Sequence, residues 1–159
     1  MPAMRDDYTV PKELARVTLH PPGVETEVFL SRSARLHEGH ETIFDLVCSE
    51  DPFLPTHPQS GVVLFRKDQL SWIQIHDPLE SEESFFETAG YAQRLRVDLV
   101  FSDGDELQGS FVVVAPNASS RVSDIANSAE RGWVHFEDEH GHYLVNLRRL
   151  RSITPVGDD

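Results

Sequence analysis

The apolar and polar positions of this chain alternate mostly with a period of two. In the second half, apolar residues occupy every other position from Leu95 to Phe101, with mainly polar residues between them. This pattern predicts a strand with one face against a core and the other towards water. The turn-forming residues 102–105 and the β-forming run at 107–114 extend the prediction to a hairpin.

The apolar spacing changes to that of a helix over residues 120–130, where Ser120 or Ser123 is a candidate N-cap and Gly132 a candidate end. Three further short strands are predicted after this helix, at 133–136, 143–145 and 150–153. The predicted order of the second half is therefore two strands, a short helix and three strands.

Landmark residues recur 80 positions apart, which predicts that the chain contains the same small domain twice. The helix at 43–49 aligns with 122–128 after a one-residue gap. We predict a first, degenerate repeat at 12–76, an acidic linker at 77–92 and a second repeat at 93–156. The matched pairs are Arg16 and Arg96, Val17 and Val97, Leu19 and Leu99, Gly61 and Gly141, Leu64 and Leu144, Leu70 and Leu150, and Ile73 and Ile153.

Three prolines occupy the place of the third strand in the first half. Pro52, Pro55 and Pro58 cannot donate a backbone hydrogen bond to a ladder. We expect this strand to be replaced by a loop or reduced to an edge.

The number and length of the strands indicate the fold class. Five short strands with tight connections in about 65 residues are typical of a small closed barrel, since closure removes exposed edges. We predict a mainly β protein with short helices, formed by tandem duplication of a five-stranded barrel of the Sm-like or SH3-like kind.

The second half also resembles a bacterial small-barrel domain of unknown function over about residues 95–155. The resemblance is carried by Phe101-Ser-Asp-Gly, Leu107-Gln-Gly, Arg121-Val-Ser-Asp-Ile-Ala-Asn-Ser and Tyr143-Leu-Val-Asn, followed by Ile153. The first half departs from this pattern. The resemblance implies a bacterial small barrel and brings no catalytic assignment.

The charge of the chain bears on its partners. Its 159 residues carry a net charge of −13, shared by both halves. Nucleic-acid binding draws most of its affinity from Lys and Arg, so we expect no nucleic-acid partner. Anionic membrane surfaces are disfavoured for the same reason.

The cysteine count and the apolar runs bear on location. A single cysteine, Cys48, allows no intrachain disulfide. Residues 1–11 lack the apolar core of a signal peptide, and no run approaches the length of a membrane span. We therefore expect a cytoplasmic protein.

Two clusters contain residue types that bind metals. His135, His140 and His142 lie among carboxylates, and His37 and His40 precede the first helix. The first cluster falls largely on an expected hairpin tip, where such side chains are ordinarily solvated, and the second is explained by a polar loop. We predict no metal and no cofactor. His135, His140 and His142 are weak candidates for metal ligands.

The arginines of the second half are the main candidates for ligand or partner binding. They flank the first and last strands of a barrel, which are neighbours after closure, and would form one basic stripe for a phosphate-bearing ligand or an acidic segment. The alternative is that they pair with nearby carboxylates such as Asp98. These residues are Arg94, Arg96, Arg148, Arg149 and Arg151.

Phe85 and Phe86, in the acidic linker, either anchor one barrel on the other or dock a partner, and the first interpretation is favoured. Cys48 is expected to be a small hydrophobe rather than a nucleophile. Asp45 and Asp124 recur at equivalent helix positions, where a capping role is favoured over acid–base chemistry.

These patterns predict a non-catalytic, cytoplasmic bacterial interaction or scaffold module that binds another protein. A homo-oligomer is a further option. The competing class is a sensor that binds a small anionic or nucleotide ligand through the arginine stripe. A metal-dependent enzyme ranks third.

Overall fold

The computed structural model describes residues 12–31, 42–58, 61–76, 92–114, 121–128 and 132–157. The predicted roles of Phe85, Phe86, His37 and His40 concern residues outside these ranges. The described chain is mainly β, as predicted. No helix in it is long and apolar enough to cross a membrane.

The elements follow the predicted order in each half. The first half contains β1 (Lys12–His20), β2 (Val24–Ser31), α1 (Ile43–Cys48), β3 (Phe53–Thr56), β4 (Val63–Arg66), a 3-10 turn (Lys67–Gln69) and β5 (Trp72–Ile75). The second half contains β6 (Ala92–Phe101), β7 (Glu106–Val114), α2 (Val122–Ser128), β8 (Trp133–Asp138), β9 (Gly141–Asn146), a 3-10 turn (Leu147–Arg149) and β10 (Leu150–Pro155).

The strands form one large sheet and one small one. The eight-stranded sheet has the order β10-β6-β7-β8-β9-β5-β1-β2, and β3 pairs with β4 in a separate two-stranded sheet. Neither sheet closes on itself within the described residues. The expectation of two separately closed barrels is therefore not met by this pairing, because β9 takes its second neighbour from the other half of the chain.

The prolines reduce the third strand of the first half to part of a small sheet. β3 is a strand that contains Pro55, so replacement by a loop is wrong, whereas its reduction to an edge agrees with its pairing to β4 alone. Leu54 and Thr56 point into the protein and Pro55 points out. Pro55 has no backbone N–H. Because β3 pairs with β4 alone among the described strands, no further strand needs a hydrogen bond from this position.

The joint between β5 and β9 connects the two halves. Ile73 lies opposite Leu144 in this antiparallel pair. At its end, the side-chain amide of Asn146 donates to the Leu70 carbonyl at 2.9 Å, and its backbone N–H donates to the Ser71 carbonyl at 2.9 Å. Asn146 is buried, so these bonds form away from water.

Each half has its own apolar core, and each core also includes residues of the other half. Trp133 and Leu144 pack in the first-half core with residues such as Leu19 and Ile73. Trp72 packs against the second-half core. The two halves are therefore joined by burial of apolar surface as well as by backbone pairing.

Strand registers in the two halves match the spacing seen in the sequence. β1 pairs with β5 and β6 pairs with β10 in registers that differ by the same constant offset, as in Leu19 opposite Ile73 and Leu99 opposite Ile153. The β3–β4 and β8–β9 hairpins show the same offset. The β1–β2 and β6–β7 hairpins do not share this offset, since Leu19 lies opposite Val24 and Leu99 lies opposite Leu107. The correspondence therefore holds for two of the strand pairs that the halves have in common.

We predict that Gly109→Ala destabilises the fold. Gly109 lies where β7 and β8 approach closely, and a Cβ there would lie 2.7 Å from Cζ of Phe136 and would overlap the Glu137 carbonyl oxygen. Overpacking of this kind costs about 1–3 kcal/mol. Urea unfolding monitored by tryptophan fluorescence should show the loss, whereas Ser110→Ala on the same strand should stay within about 0.5 kcal/mol of the parent.

We also predict that Asn146→Ala weakens the joint between the halves. The substitution removes the donor to the buried Leu70 carbonyl and the acceptor that receives the Arg148 N–H at 3.1 Å. Leaving such groups unsatisfied costs about 1–3 kcal/mol. Chemical denaturation is the measurement, and Asn127→Ala on the exposed side of α2 is the control. Equal stability of the two variants would contradict this role.

Candidate functional site

The β3–β4 hairpin presents an apolar strand edge. Buried Leu54 and Thr56 fix the hairpin to the protein, and the Thr56 hydroxyl donates to the Val63 carbonyl at 2.9 Å. The His57 N–H donates to the Glu27 carbonyl of β2 at 2.8 Å. The hairpin is therefore held on one side while β4 lies on its outer side.

Three consecutive apolar residues are exposed here, one immediately before β4 and two on it. Val62, Val63 and Leu64 have relative exposures of 62%, 41% and 58%. Among the described strands, β4 pairs only with β3. We call these three residues, together with the side of β4 that has no partner among the described strands, the β4 edge.

The corresponding strand of the second half has a different environment. Tyr143, Leu144 and Val145 of β9 are buried, because β5 pairs with this strand and the two cores cover its faces. β4 and β9 thus occupy equivalent registers in their hairpins but differ in their neighbours. Among the described strands, β9 pairs with both β8 and β5, whereas β4 pairs with β3 alone.

Aromatic and charged side chains lie near the β4 edge. Phe53 is exposed on β3, and the Arg66 guanidinium lies 5.7 Å from the centre of its ring. Arg66 also donates from Nε to Asp68 at 2.9 Å. The apolar edge therefore has a polar border, which is typical of interaction surfaces.

The predicted arginine residues are divided between the two ends of the β6–β10 pair. The Arg96 carbonyl accepts from the Val156 N–H, whereas the Arg149 carbonyl accepts from the Ser102 N–H. The strand between Arg96 and Ser102 spans roughly 20 Å. β6 and β10 are neighbours as expected. Arg96 and Arg149, however, lie at opposite ends of this strand pair.

The arginines also differ in their contacts. Arg94 forms an ion pair with Glu137, as the carboxylate-pairing interpretation anticipated, and it is the only one of the five that pairs with an acid in the described part of the chain. Arg148 packs over Gly132, and Arg151 lies beside Gly104. The Nε of Arg149 is buried without an acceptor among the described residues.

Arg96 lines a cavity with a volume of about 710 Å³. Four carboxylates line the same cavity, compared with a single arginine, Arg96, and one histidine, His140. They are Asp98, Glu106, Asp138 and Glu139. Acidic walls repel an anion, so this cavity does not suit the phosphate-bearing ligand expected for the stripe.

A second cavity, of about 410 Å³, lies between α1 and the start of β8. Lys67 is buried in its wall and donates from Nζ to the Ser49 hydroxyl at 2.7 Å. Burial lowers the pKa of Lys67, although the charges of Asp51 and Cys48 act in the opposite direction. Cys48 is half-buried and packs against the first-half core, in keeping with an apolar role.

The three histidines of the second half do not converge on one point among the described residues. His140 is exposed near Glu139, and His142 Nε2 lies 3.7 Å from Glu137. His135 is buried and stacks on Phe44 of α1 with ring centres 4.9 Å apart. Burial, and secondarily the nearby His142, lower the pKa of His135 to about 4.

Tyr143 also has a shifted pKa. Its side chain is buried on β9. Burial raises the pKa of Tyr143, and the charge of Asp138 and a hydrogen bond to it act in the same direction. Tyr143 therefore stays protonated throughout the physiological range.

A different set of potential metal ligands comes together at the joint. His20 Nε2 forms a hydrogen bond with a carboxylate oxygen of Asp105 and lies 4.0 Å from Asp103, and the His20 ring stacks on Trp72 with centres 3.9 Å apart. Ligand atoms of the three polar side chains lie within 4.8 Å of one another. The hydrogen bond links β1 to the β6–β7 turn.

Sequence reasoning missed this set because its members come from opposite halves of the chain. The sequence predicted the turn that contains Asp103 and Asp105, but no local pattern connects that turn to His20. The contact joins β1 of the first half to the β6–β7 turn of the second half.

The two recurring aspartates are helix caps. Asp45 accepts from the Thr42 N–H at 2.9 Å, while the Thr42 hydroxyl accepts from the Asp45 N–H at 3.1 Å. Asp124 accepts from the Arg121 N–H at 3.1 Å. Both carboxylates therefore satisfy backbone donors at helix starts.

Comparisons of this chain with protein-family models, with curated proteins and with solved structures find no match.

We predict that acid destabilises this protein partly through His135. Its folded-state pKa of about 4 lies below the usual 6.5, so the unfolded chain gains a proton first as pH falls. The stability contributed by neutral His135 is complete above pH 6.5 and is lost between pH 6.5 and 4, by up to about 3 kcal/mol. Urea unfolding across this range should show a smaller acid-dependent loss in His135→Gln than in the parent.

His140→Gln is the matched control, since that side chain is 69% exposed. It should keep the pH dependence of the parent. An unchanged pH dependence in His135→Gln would contradict the assignment.

Proposed function

We propose that this chain is a non-catalytic protein-interaction module that binds a partner protein through the β4 edge. The observation that carries the proposal is the run of exposed apolar residues, Val62 to Leu64, beside a strand with only one neighbour among the described strands. An extended partner segment can add a strand there, with backbone hydrogen bonds giving affinity and side-chain pockets giving specificity. An uncovered edge of this composition also promotes aggregation, which favours a dedicated partner.

The proposal includes a tandem pair of units related to the small Sm-like or SH3-like barrel. The constant offset between the strand registers of the two halves supports this arrangement. The bacterial, cytoplasmic scaffold role predicted from the sequence belongs to the same proposal. The acidic character of the chain favours a protein partner over nucleic acid.

The alternative of an anion sensor has less support. Its arginines lie in two separate groups, and the cavity that Arg96 lines has four carboxylates. A site for an anionic ligand is expected to have converging donors. We therefore place the partner surface on the first half rather than on the arginines.

We predict that Leu64→Lys weakens partner binding while the protein stays folded. Because Leu64 is largely exposed, the substitution should change stability by no more than about 0.5 kcal/mol. A lysine in the edge would place a desolvated charge in the new strand pair and weaken binding about tenfold or more. The measurement is capture of proteins from host lysate, followed by titration of the purified captured protein against each variant.

Leu14→Lys is the matched control, because Leu14 is 46% exposed and lies on β1 rather than on the β4 edge. A protein retained by this control and lost from Leu64→Lys supports the proposal. Arg96→Ala combined with Arg149→Ala provides the opposing test. A protein or small anion lost only from the arginine variant would favour the sensor and contradict the role of the edge.

A further inference from the structure

We infer that the strand added to the β4 edge is β10 of a second copy of this chain. This inference rests on the proposed function, because it names the occupant of the same edge. It is argued from the joint between β5 and β9, which already shows how a strand of one half pairs with a strand of the other.

The joint supplies a template for pairing between copies. The β3–β4 and β8–β9 hairpins have the same register at a constant sequence offset, so β4 is the counterpart of β9. The β1–β5 and β6–β10 pairs show the same offset, so β10 is the counterpart of β5. Since β9 and β5 pair within one chain, their counterparts β4 and β10 have the geometry to pair between chains.

Both counterpart strands have a side without a neighbour in the described structure. β10 is the terminal strand of the large sheet and pairs only with β6, while β4 pairs only with β3. The template predicts the register between copies. In the joint, Ile73 lies opposite Leu144 and Gln74 opposite Tyr143, which places Ile153 opposite Leu64 and Thr154 opposite Val63.

The backbone orientation of β4 agrees with this register. Asn146 donates its N–H to Ser71, so alternate residues of β9, including Leu144, direct their backbone groups towards β5. By the same alternation, Leu64 directs its groups away from β3. Pro55, which lies opposite Leu64, has no N–H to offer it.

The backbone orientation of β10 agrees as well. The Val156 N–H donates to the Arg96 carbonyl, just as the His76 N–H donates to the Arg16 carbonyl in the first half. Every second residue of β10, counted back from Val156, therefore directs its backbone N–H and C=O towards β6. The residues between them, including Ile153, direct these groups away from β6. Leu64 and Ile153 can then exchange two backbone hydrogen bonds.

The new strand pair would be short. The joint contains four opposed residue pairs. In the β4–β10 pair between copies, the last of these would place Pro155 opposite Val62, and Pro155 has no N–H to donate. Arg66 and Arg151 lie on the same edges and repel each other there. The apolar contact of Val63 and Leu64 must therefore supply much of the association, and the bond between copies is weaker than the joint itself.

The contact uses different surfaces on the two copies, so it is head-to-tail. Such contacts repeat until a ring closes, or extend into a filament if the rotation does not close. The net charge of −13 on each copy opposes assembly. Because salt screens this repulsion, added salt should strengthen the association between copies.

Disulfide cross-linking tests the pairing and its register. In a Cys48→Ala background, one protein carries Val63→Cys and another carries Thr154→Cys. The predicted pair is of the non-hydrogen-bonded type, with Cα atoms about 4.5 Å apart, which suits a disulfide. We expect a cross-linked dimer when the two proteins are mixed in a thiol–disulfide buffer, and at least tenfold less from either protein alone.

Val24→Cys mixed with Thr154→Cys is the matched control, because Val24 and Val63 have similar exposures of 37% and 41%. Cross-linking no faster than in this control would overturn the inference. Equal cross-linking of the Val63→Cys protein with itself would also overturn it, since it would indicate symmetric pairing of β4 with β4.

Sedimentation velocity provides an independent measurement on the unmodified chain. We expect a mass above the 18.0 kDa of one chain, a shift to larger species with salt, and a monomer for Leu64→Lys but not for Leu14→Lys. A monomer throughout would overturn this inference. If captured proteins still depended on Leu64, the proposed function would stand, whereas independence from Leu64 would overturn that function as well.

Discussion

The pairing of β5 with β9 is the contact on which the rest of the structure depends. It joins strands from the two halves into one eight-stranded sheet and brings Leu144 into the first-half core and Trp72 against the second-half core. Units of this size are close to the lower limit for a self-sufficient core. Sharing apolar residues across the joint therefore stabilises both halves together.

The same pairing makes two similar halves unequal. β9 becomes an interior strand with buried side chains, while its counterpart β4 remains beside a single neighbour among the described strands with its apolar residues exposed. Pairing with β5 thus covers β9, while β4 keeps a side without a partner among the described strands. The candidate site follows from this asymmetry and not from any reactive group.

Burial explains the polar groups near the joint. His135 lies beneath Phe44 of α1 and is held neutral by desolvation, and Asn146 uses its amide to satisfy a carbonyl of the other half. His20 is paired with Asp105 across the same region. Each of these side chains has a structural explanation, and the arginines divide into two groups because the β6–β10 register separates them.

Most of the strands and the capping role of the two aspartates were predictable from the sequence, because they depend on local alternation and on residue types at fixed spacing. The N-cap prediction for the second helix was wrong at Ser123, which lies inside the helix. The repeat matched Leu64 with Leu144, which lies on a predicted strand, but it did not show that Leu64 is exposed. Alternation identifies the two faces of a strand and carries no information about which strand lies beside it. Only the tertiary structure decided that β5 pairs with β9, since each half offers equivalent edges and the choice between them depends on how the two cores pack. The β4 edge follows from that choice, and His20 contacts Asp105 across the two halves.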